Sequence, residues 1–355
     1  MGIFVRKFDA INKDMSQECG GKASHLGELT SLKLNVPKGF CVVADAFSNH
    51  LKRNNLDEQI NEILQGIDFE DFQDLEQSTG KIRSLIESAE MPPEIEEEII
   101  ENYADLLEDE PEPYVAIRSS VAIRESPISS FPGMMDTYYY LRGAPTIIEN
   151  VKRCWASVWS ARAAFTRKTK GVEHSKAIIA PIVQKMVNSR TAGVMFTLNP
   201  LNGDPSKIVI EGCWGLGEGL VSGALTPDRF VVDKVMLEIN KRTISPKKIE
   251  CVFDPKKGEA VNADVAPDLQ NKPCLDDREI QELVRIAKNI ERHYGCPQDI
   301  EWAIEKEFPF PENVHILQSR AESVWSQRKK EPAIGGKSGY ELLMEKALST
   351  IKLKD

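Results

Sequence analysis

Two short runs near residue 300 constrain the fold more than any other feature. Residues 299–305, DIEWAIE, and 314–318, VHILQ, are separated by a proline-containing turn. They read as adjacent strands. Alternate residues of a strand share a face. Asp299 and Glu301 therefore lie opposite Ile300, Trp302 and Ile304, and Gln318 shares a face with Arg320. Such a hairpin needs a cover for its apolar face and leaves a polar face of acids, an amide and a guanidinium. Carboxylate and amide oxygens suit Mg²⁺, and arginine suits polyphosphate oxygens. The same residues also suit a solvated face carrying surface ion pairs.

The remaining pattern mixes both element types. Gly20-Gly21-Lys22 precedes a helix over 23–32, and 40–43 is a strand. Residues 51–110 read as helices, with Ile95, Ile99, Ile100 and Tyr103 at helical spacing. A strand over 114–117 leads into a loop over 119–137, and 138–141 is strand-like. One long helix is expected over 147–170, with Val151, Trp155, Val158 and Phe165 near one face. Strands over 178–187 and 192–197 flank the turn Asn188-Ser189-Arg190. Further strands are expected at 207–211 and 230–232. Asp276 and Glu279 are spaced as a capping box for a helix ending at Gly295. Residues 327–338 read as a polar linker, and 340–351 as an amphipathic helix that docks on a partner or on its own domain.

Composition narrows the function. The chain of 355 residues suggests about two domains. With 45 Lys+Arg against 55 Asp+Glu, the net charge is −10, which argues against a general nucleic-acid binder. No apolar run approaches the length that crosses a bilayer, and the first residues lack a signal-peptide core. Seven scattered cysteines without a CxxC pair fit reduced thiols, so a cytoplasmic location is expected.

Other segments carry chemistry. The run 215–223, GLGEGLVSG, follows a strand, and its glycines could admit a phosphate or simply make a tight turn. Arg118 ends a strand before a glycine-containing loop, a reasonable phosphate clamp or an ordinary ion-pair partner. Lys22 after two glycines is similar. His25, His50, His174, His293 and His315 have no catalytic context, and the tyrosines at 138–140 read as core.

In order, GGKASHLGEL, VPKGFCV, VAIRSS, FPGMMDTYY, IVQKMV, AGVMFTLNP, IEGCWGLGEGLVSGALTPD, DIEWAI and HILQSR resemble the N-terminal nucleotide-binding region of phosphoenolpyruvate synthase and pyruvate phosphate dikinase. The resemblance runs from residue 1 to about 325. It implies an α+β, ATP-grasp-like fold with ATP between two lobes, one over 1–187 and one over 188–326, followed by 327–355 as linker and helix. Carried over residue by residue, Lys22, Arg118 and Thr137 would hold phosphates, and Gly133 and Asp136 belong to a loop closing over them. Gln184, Met186 and Val187 would lie against adenine. Glu211 and Gly217 would contact the nucleotide. Glu301 and Gln318 would hold Mg²⁺ with Asp299 close by, and Arg320 would contact the transferring phosphates. Lys22, Arg118 and Arg320 are the expected catalytic residues.

Two departures qualify this. The PGMMDT half of the loop after Arg118 resembles the dikinase, while the wider chain resembles the synthase. The family also uses a swivelling domain with a phosphorylated histidine and a pyruvate-binding barrel, and no histidine here has the matching small-residue setting. The resemblance therefore implies a separate phosphohistidine subunit and an acceptor, phenol or pyruvate, bound on that partner. Phenylphosphate synthase, whose ATP-binding subunit is separate, is the specific expectation. A split phosphoenolpyruvate synthase is the alternative, and a nucleotide-binding regulatory subunit is the alternative of another class.

Overall fold

The apolar stretches of the chain close into two separate sheets. The computed structural model describes residues 2–106, 112–123, 135–221, 223 and 225–325. Residues Met1–Ala321 form one unit, and Glu322–Asp355 form a second. In the second, the Glu322 carboxylate accepts from the backbone N–H groups of Val324 (2.6 Å) and Trp325 (3.0 Å).

The first sheet has the order β1-β2-β5-β3-β4. Its strands are β1 (Val5–Lys7), β2 (Gly39–Val42), β3 (Val115–Ile123), β4 (Thr137–Leu141) and β5 (Ala177–Lys185). Strand β5 is apolar on both faces and nearly all buried, which suits a central strand. Helices α2 (Ala44–Arg53), α3 (Leu56–Gly66), α4 (Phe72–Ser88), α5 (Pro93–Leu106), α6 (Ala144–Ala156) and α7 (Ala161–Thr169) come from the same half of the chain. Phe47, Ile82, Ile95, Ile99 and Trp155 join the sheet's Phe40 and Val183 in one buried cluster. Helix α1 (Ser16–Ser31) contributes Cys19, Ala23 and Leu26 to another cluster, with Cys41 and Ile182 of the sheet.

The second sheet has the order β13-β12-β6-β7-β8-β9. It comprises β6 (Ser189–Phe196), β7 (Lys207–Trp214), β8 (Asp228–Asp233), β9 (Ile239–Thr243), β12 (Gln298–Glu305) and β13 (Val314–Ala321). A short helix, α8 (Glu218–Val221), follows β7, and β10 (Ile249–Asp254) pairs with β11 (Glu259–Asp264) as a separate hairpin. Helix α9 (Asp277–Tyr294) buries Ile280, Leu283, Ala287 and Ile290 against Ile300, Trp302 and Ile304, the apolar face expected of the hairpin. Each such large side chain contributes about 1.5–3 kcal/mol on burial. The capping box at Asp276 and Glu279 is formed, and Gly295 ends the helix in the left-handed conformation. Helix α1 ties the two halves: its Leu29 enters this second core, and its Glu28 accepts from His293 of α9 (2.5 Å).

Several sequence expectations change. The helix expected over 147–170 is broken between α6 and α7. Ser157 turns its hydroxyl to Cys154 O, Ser160 caps α7 at Ala163 N, and the buried Arg167 takes the Val158 carbonyl. Phe165 consequently faces outward, as Ile100 does on α5. Strand β3 continues to Ile123, because all nine of its residues pair with β5. Strand β7 likewise runs on to Trp214. Strands β5 and β6 do not form a hairpin; β6 already begins at Ser189, and residues 186–188, rather than a turn at 188–190, carry the chain from one sheet to the other. The residues 327–338 and 340–351 lie outside those described. Among the described residues, no helix is long and apolar enough to cross a membrane.

Candidate functional site

Strand period and register build the site from the hairpin outward. Glu301 faces Gln318 across β12 and β13, and Asp299 faces Arg320. On its other side Glu301 registers with Val194 of β6, Val194 with Glu211 of β7, and Glu211 with Arg229 of β8. Residues directly opposed in an antiparallel sheet share a face. One row, polar except at Val194, therefore crosses five strands, on the face opposite Trp302. Gly193 and Gly212 make room for that ring: a Cβ on either would lie 2.7 or 2.9 Å from it.

Arg118 of β3 reaches this row from the first sheet. One Nη donates to Glu301 Oε2 (2.8 Å) and Gln318 Oε1 (3.2 Å). The other donates to Leu317 O (2.7 Å) and Gln184 Oε1 (3.1 Å). Glu301 and Gln318 thus direct oxygens at a single cationic nitrogen. That convergence, with its hard-oxygen donors, fits a divalent cation. The neighbouring pair is occupied differently, since Arg320 binds Asp299 through Nε (2.7 Å) and Nη2 (2.5 Å). Glu211 pairs with Arg229 (3.4 Å).

Lys22 stands beside Arg118 because α1 is kinked. Gly20 has φ 72° and ψ 165°, a conformation reserved for glycine. A Cβ there would lie 2.3 Å from Ser120 Oγ, and that oxygen accepts from Ala23 N (3.1 Å). Ser120, two residues beyond Arg118, thereby positions the helix start that carries Lys22. Burial lowers the Lys22 ammonium to a pKa of about 8; the charge of Arg118 adds to this, and Glu301 opposes it. A half-buried lysine held beside another cation favours an anionic ligand.

The other expected residues are spread around this core. Thr137 begins β4 in register with Arg118. Asp136 accepts from Arg83 of α4 (3.4 Å) and from the Tyr138 hydroxyl (3.2 Å). Gly133 lies outside the described residues. The buried Gln184 amide is used at both ends, by Arg118 and by Pro37 O (3.2 Å). Met186 and Val187 form the crossing between sheets, where Val187 packs with Ala192, Ala303 and Leu317. Gly217 meets only ordinary contact with Ala192. Close approach is required instead at Gly215, whose φ is 74° and whose Cβ would lie 2.2 Å from Cys251 O. The bridge between Gly215 and Cys251, whose carbonyl accepts from Leu216 N (2.8 Å), accounts for that glycine.

Sequence reasoning missed two contributors. The sequence pattern reads Tyr139 as core, yet it follows Thr137 at strand period. Its hydroxyl is held near a pKa of 12, chiefly by burial, with Arg118, Glu218 and Glu301 around it. Its alternation with Thr137 was the available signal. Tyr140 and Tyr114 pack on Phe253 of β10, at ring centroids of 4.1 and 4.6 Å. Nothing in the sequence pairs residues so far apart. All five histidines lie elsewhere or are engaged: His25 with Tyr294, His293 with Glu28, His315 with Glu305, His50 with Ile86 O and His174 with Arg167.

Residues 16–338 match the family described as pyruvate phosphate dikinase, AMP/ATP-binding domain. The chain is 42% identical to a probable phosphoenolpyruvate synthase of Staphylothermus marinus, over 97% of this chain and 45% of that protein. It is 42% identical to one from Methanocaldococcus jannaschii, over 92% of this chain and 27% of that protein. With the phosphoenolpyruvate synthase of Pyrococcus furiosus it shares 37%, over 89% and 43%. The chain spans less than half the length of each.

Proposed function

This chain belongs to the pyruvate phosphate dikinase AMP/ATP-binding domain family, and we propose from that premise that it is the ATP-handling part of a phosphoenolpyruvate synthase-like dikinase. The α+β, ATP-grasp-like fold provides two sheets, which we take as the two lobes, divided near residue 187. The observation that carries the reading is the meeting of Arg118 and Lys22 with Glu301 and Gln318 where the sheets touch.

Each residue then has a task. Lys22 and Arg118 bind the β- and γ-phosphates, and Thr137, in register with Arg118, adds a hydroxyl. Arg320 turns from Asp299 towards the transferring group. Glu301 and Gln318 would hold Mg²⁺, with Asp299 beside them, and that ion would neutralise triphosphate charge. Gln184 to Val187 and Glu211 bound the nucleoside end. Aligning and neutralising the triphosphate is most of what phosphoryl transfer asks of a protein.

The nucleophile comes from outside this set of residues. Each of the five histidines is engaged elsewhere, with Tyr294, Glu28, Glu305, Ile86 O or Arg167. We therefore assign the attack on the β-phosphorus to a histidine of another domain or subunit. An N–P bond forms, the bond from the β-phosphorus to the AMP oxygen breaks, and AMP leaves. Water then releases the γ-phosphate, leaving phosphohistidine, which passes its phosphoryl group to the acceptor. The relatives are named for phosphoenolpyruvate, so pyruvate is the first acceptor to try and phenol the second.

The test uses the protein isolated from its own cells with whatever it assembles with, given Mg-ATP and either acceptor. AMP with phosphoenolpyruvate supports the pyruvate-directed reading, and AMP with phenylphosphate moves it to phenol. Glu301→Ala and Arg320→Ala should each lower AMP formation at least a hundredfold. Unchanged AMP formation in both would refute the site.

A further inference from the structure

Where the sheets meet, Glu301 and Gln318, the residues assigned above to a cation, are set against an arginine. Arg118 spends one Nη on Glu301 Oε2 (2.8 Å) and Gln318 Oε1 (3.2 Å), and anchors the other on Leu317 O (2.7 Å). These partners lie 183 to 200 residues from it in sequence. Arg118 is well buried and Glu301 is half-buried, so the pair is only partly screened by water.

We propose that Arg118 is the resident counter-ion of the metal site, and that a divalent cation gains Glu301 and Gln318 only when a nucleotide triphosphate draws the guanidinium away. The inference rests on the Mg-ATP reading above and adds an order of loading to it. Charge decides the order. Lys22 and Arg118 set against Glu301 leave one net positive charge, and Asp299 and Arg320 cancel. A bare divalent ion entering there would put its charge among cations served by one carboxylate. A triphosphate brings the missing negative charge. It also offers the guanidinium bidentate phosphate oxygens in exchange for the carboxylate and amide. Leu317 O and Gln184 Oε1 hold the other Nη of the same planar guanidinium, so the exchange pivots the whole group about that nitrogen. The contact doubles as a clasp between the sheets when no nucleotide is present.

Mn²⁺ binding, read by electron paramagnetic resonance of the free ion, tests this on the full chain without any turnover. The wild-type protein should bind Mn²⁺ weakly alone and at least tenfold more tightly with a non-hydrolysable ATP analogue. Arg118→Met removes the guanidinium and should bind Mn²⁺ alone at least tenfold more tightly than wild type. Adding Glu301→Gln to that variant should abolish the gain. Equal Mn²⁺ affinity of wild type and Arg118→Met, both folded by circular dichroism, would overturn the proposal. Should Arg118→Met not fold, the wild-type comparison decides: the same Mn²⁺ affinity with and without bound analogue overturns it. An analogue that fails to bind at all would instead sink the Mg-ATP reading. The Mn²⁺-only comparison would still judge the arginine.

Discussion

At the residue scale the site is defined by charges that the fold holds against their preference. Lys22 carries the clearest sign: burial and Arg118 bring its ammonium to about 8 from an ordinary 10.5. In the unfolded chain that lysine keeps its proton up to about 10.5. Below pH 8 it is charged in both states, and the folded state carries the full penalty. Between 8 and 10.5 the unfolded state holds more protons, so stability rises with pH across that window. Lys22→Met should therefore stabilise the protein at pH 7, by on the order of 1–3 kcal/mol, with the gain fading towards pH 10.5. The same change should weaken binding of an ATP analogue at least tenfold, and wild-type affinity should fall between pH 7 and 9. Thermal melts at both pH values check the first half and calorimetric titration the second. A variant that binds well but melts lower would show that Lys22 is structural. Of these residues, Glu301 and Gln318 were legible from strand period alone, because alternation is a local property. The grip of Arg118 on them was not, since its partners are set by sheet packing.

Elements tell the same story of local against distant causes. The capping box of α9 and its terminal glycine could be read directly, because caps act within one turn. The break between α6 and α7 could not, since the apolar period runs on through Val158 while Arg167 claims its carbonyl. Strands β5 and β6 look like a hairpin around a polar turn, and only their different partners reveal a crossing. Strand β12 depends on a steric match across β6 and β7. The Trp302 ring lies over Gly193 and Gly212, and the strand's irregularity with β13 falls between Glu301 and Trp302. Gly212→Ala should thus overpack this spot and cost about 1–3 kcal/mol. Trp302→Phe shortens the ring that the new methyl meets, so the double variant should be less destabilised than the sum of the two. Urea denaturation of all four proteins measures this coupling. Strict additivity would mean that the alanine is accommodated elsewhere.

Across the unit formed by residues 1–321, Arg118 joins the two sheets, and rings join the first sheet to the separate β10–β11 hairpin. Phe253 of the β10–β11 hairpin stacks on Tyr140 of β4 and tilts against Tyr114, while Arg142 lies over the Tyr114 ring at 5.0 Å. Tyr140 takes a φ of 56°, unusual for an aromatic residue, and the β3–β4 register shifts two residues after it begins. The backbone distortion is thus found where β4 presents its ring to the hairpin. Such contacts add about 0.5–1.5 kcal/mol beyond the area they bury. They sit at the periphery of both cores, so their loss should be felt locally. Phe253→Ala should speed amide hydrogen exchange at β4, β10 and β11 at least tenfold. Protection at β6, β7 and β12, whose cover is α9, should stay unchanged. Phe253→Leu, which keeps bulk without a ring face, should fall between. Faster exchange at all six strands would mean that the rings support the whole unit. No change at β4 would mean that the rings do not hold the hairpin to the first sheet.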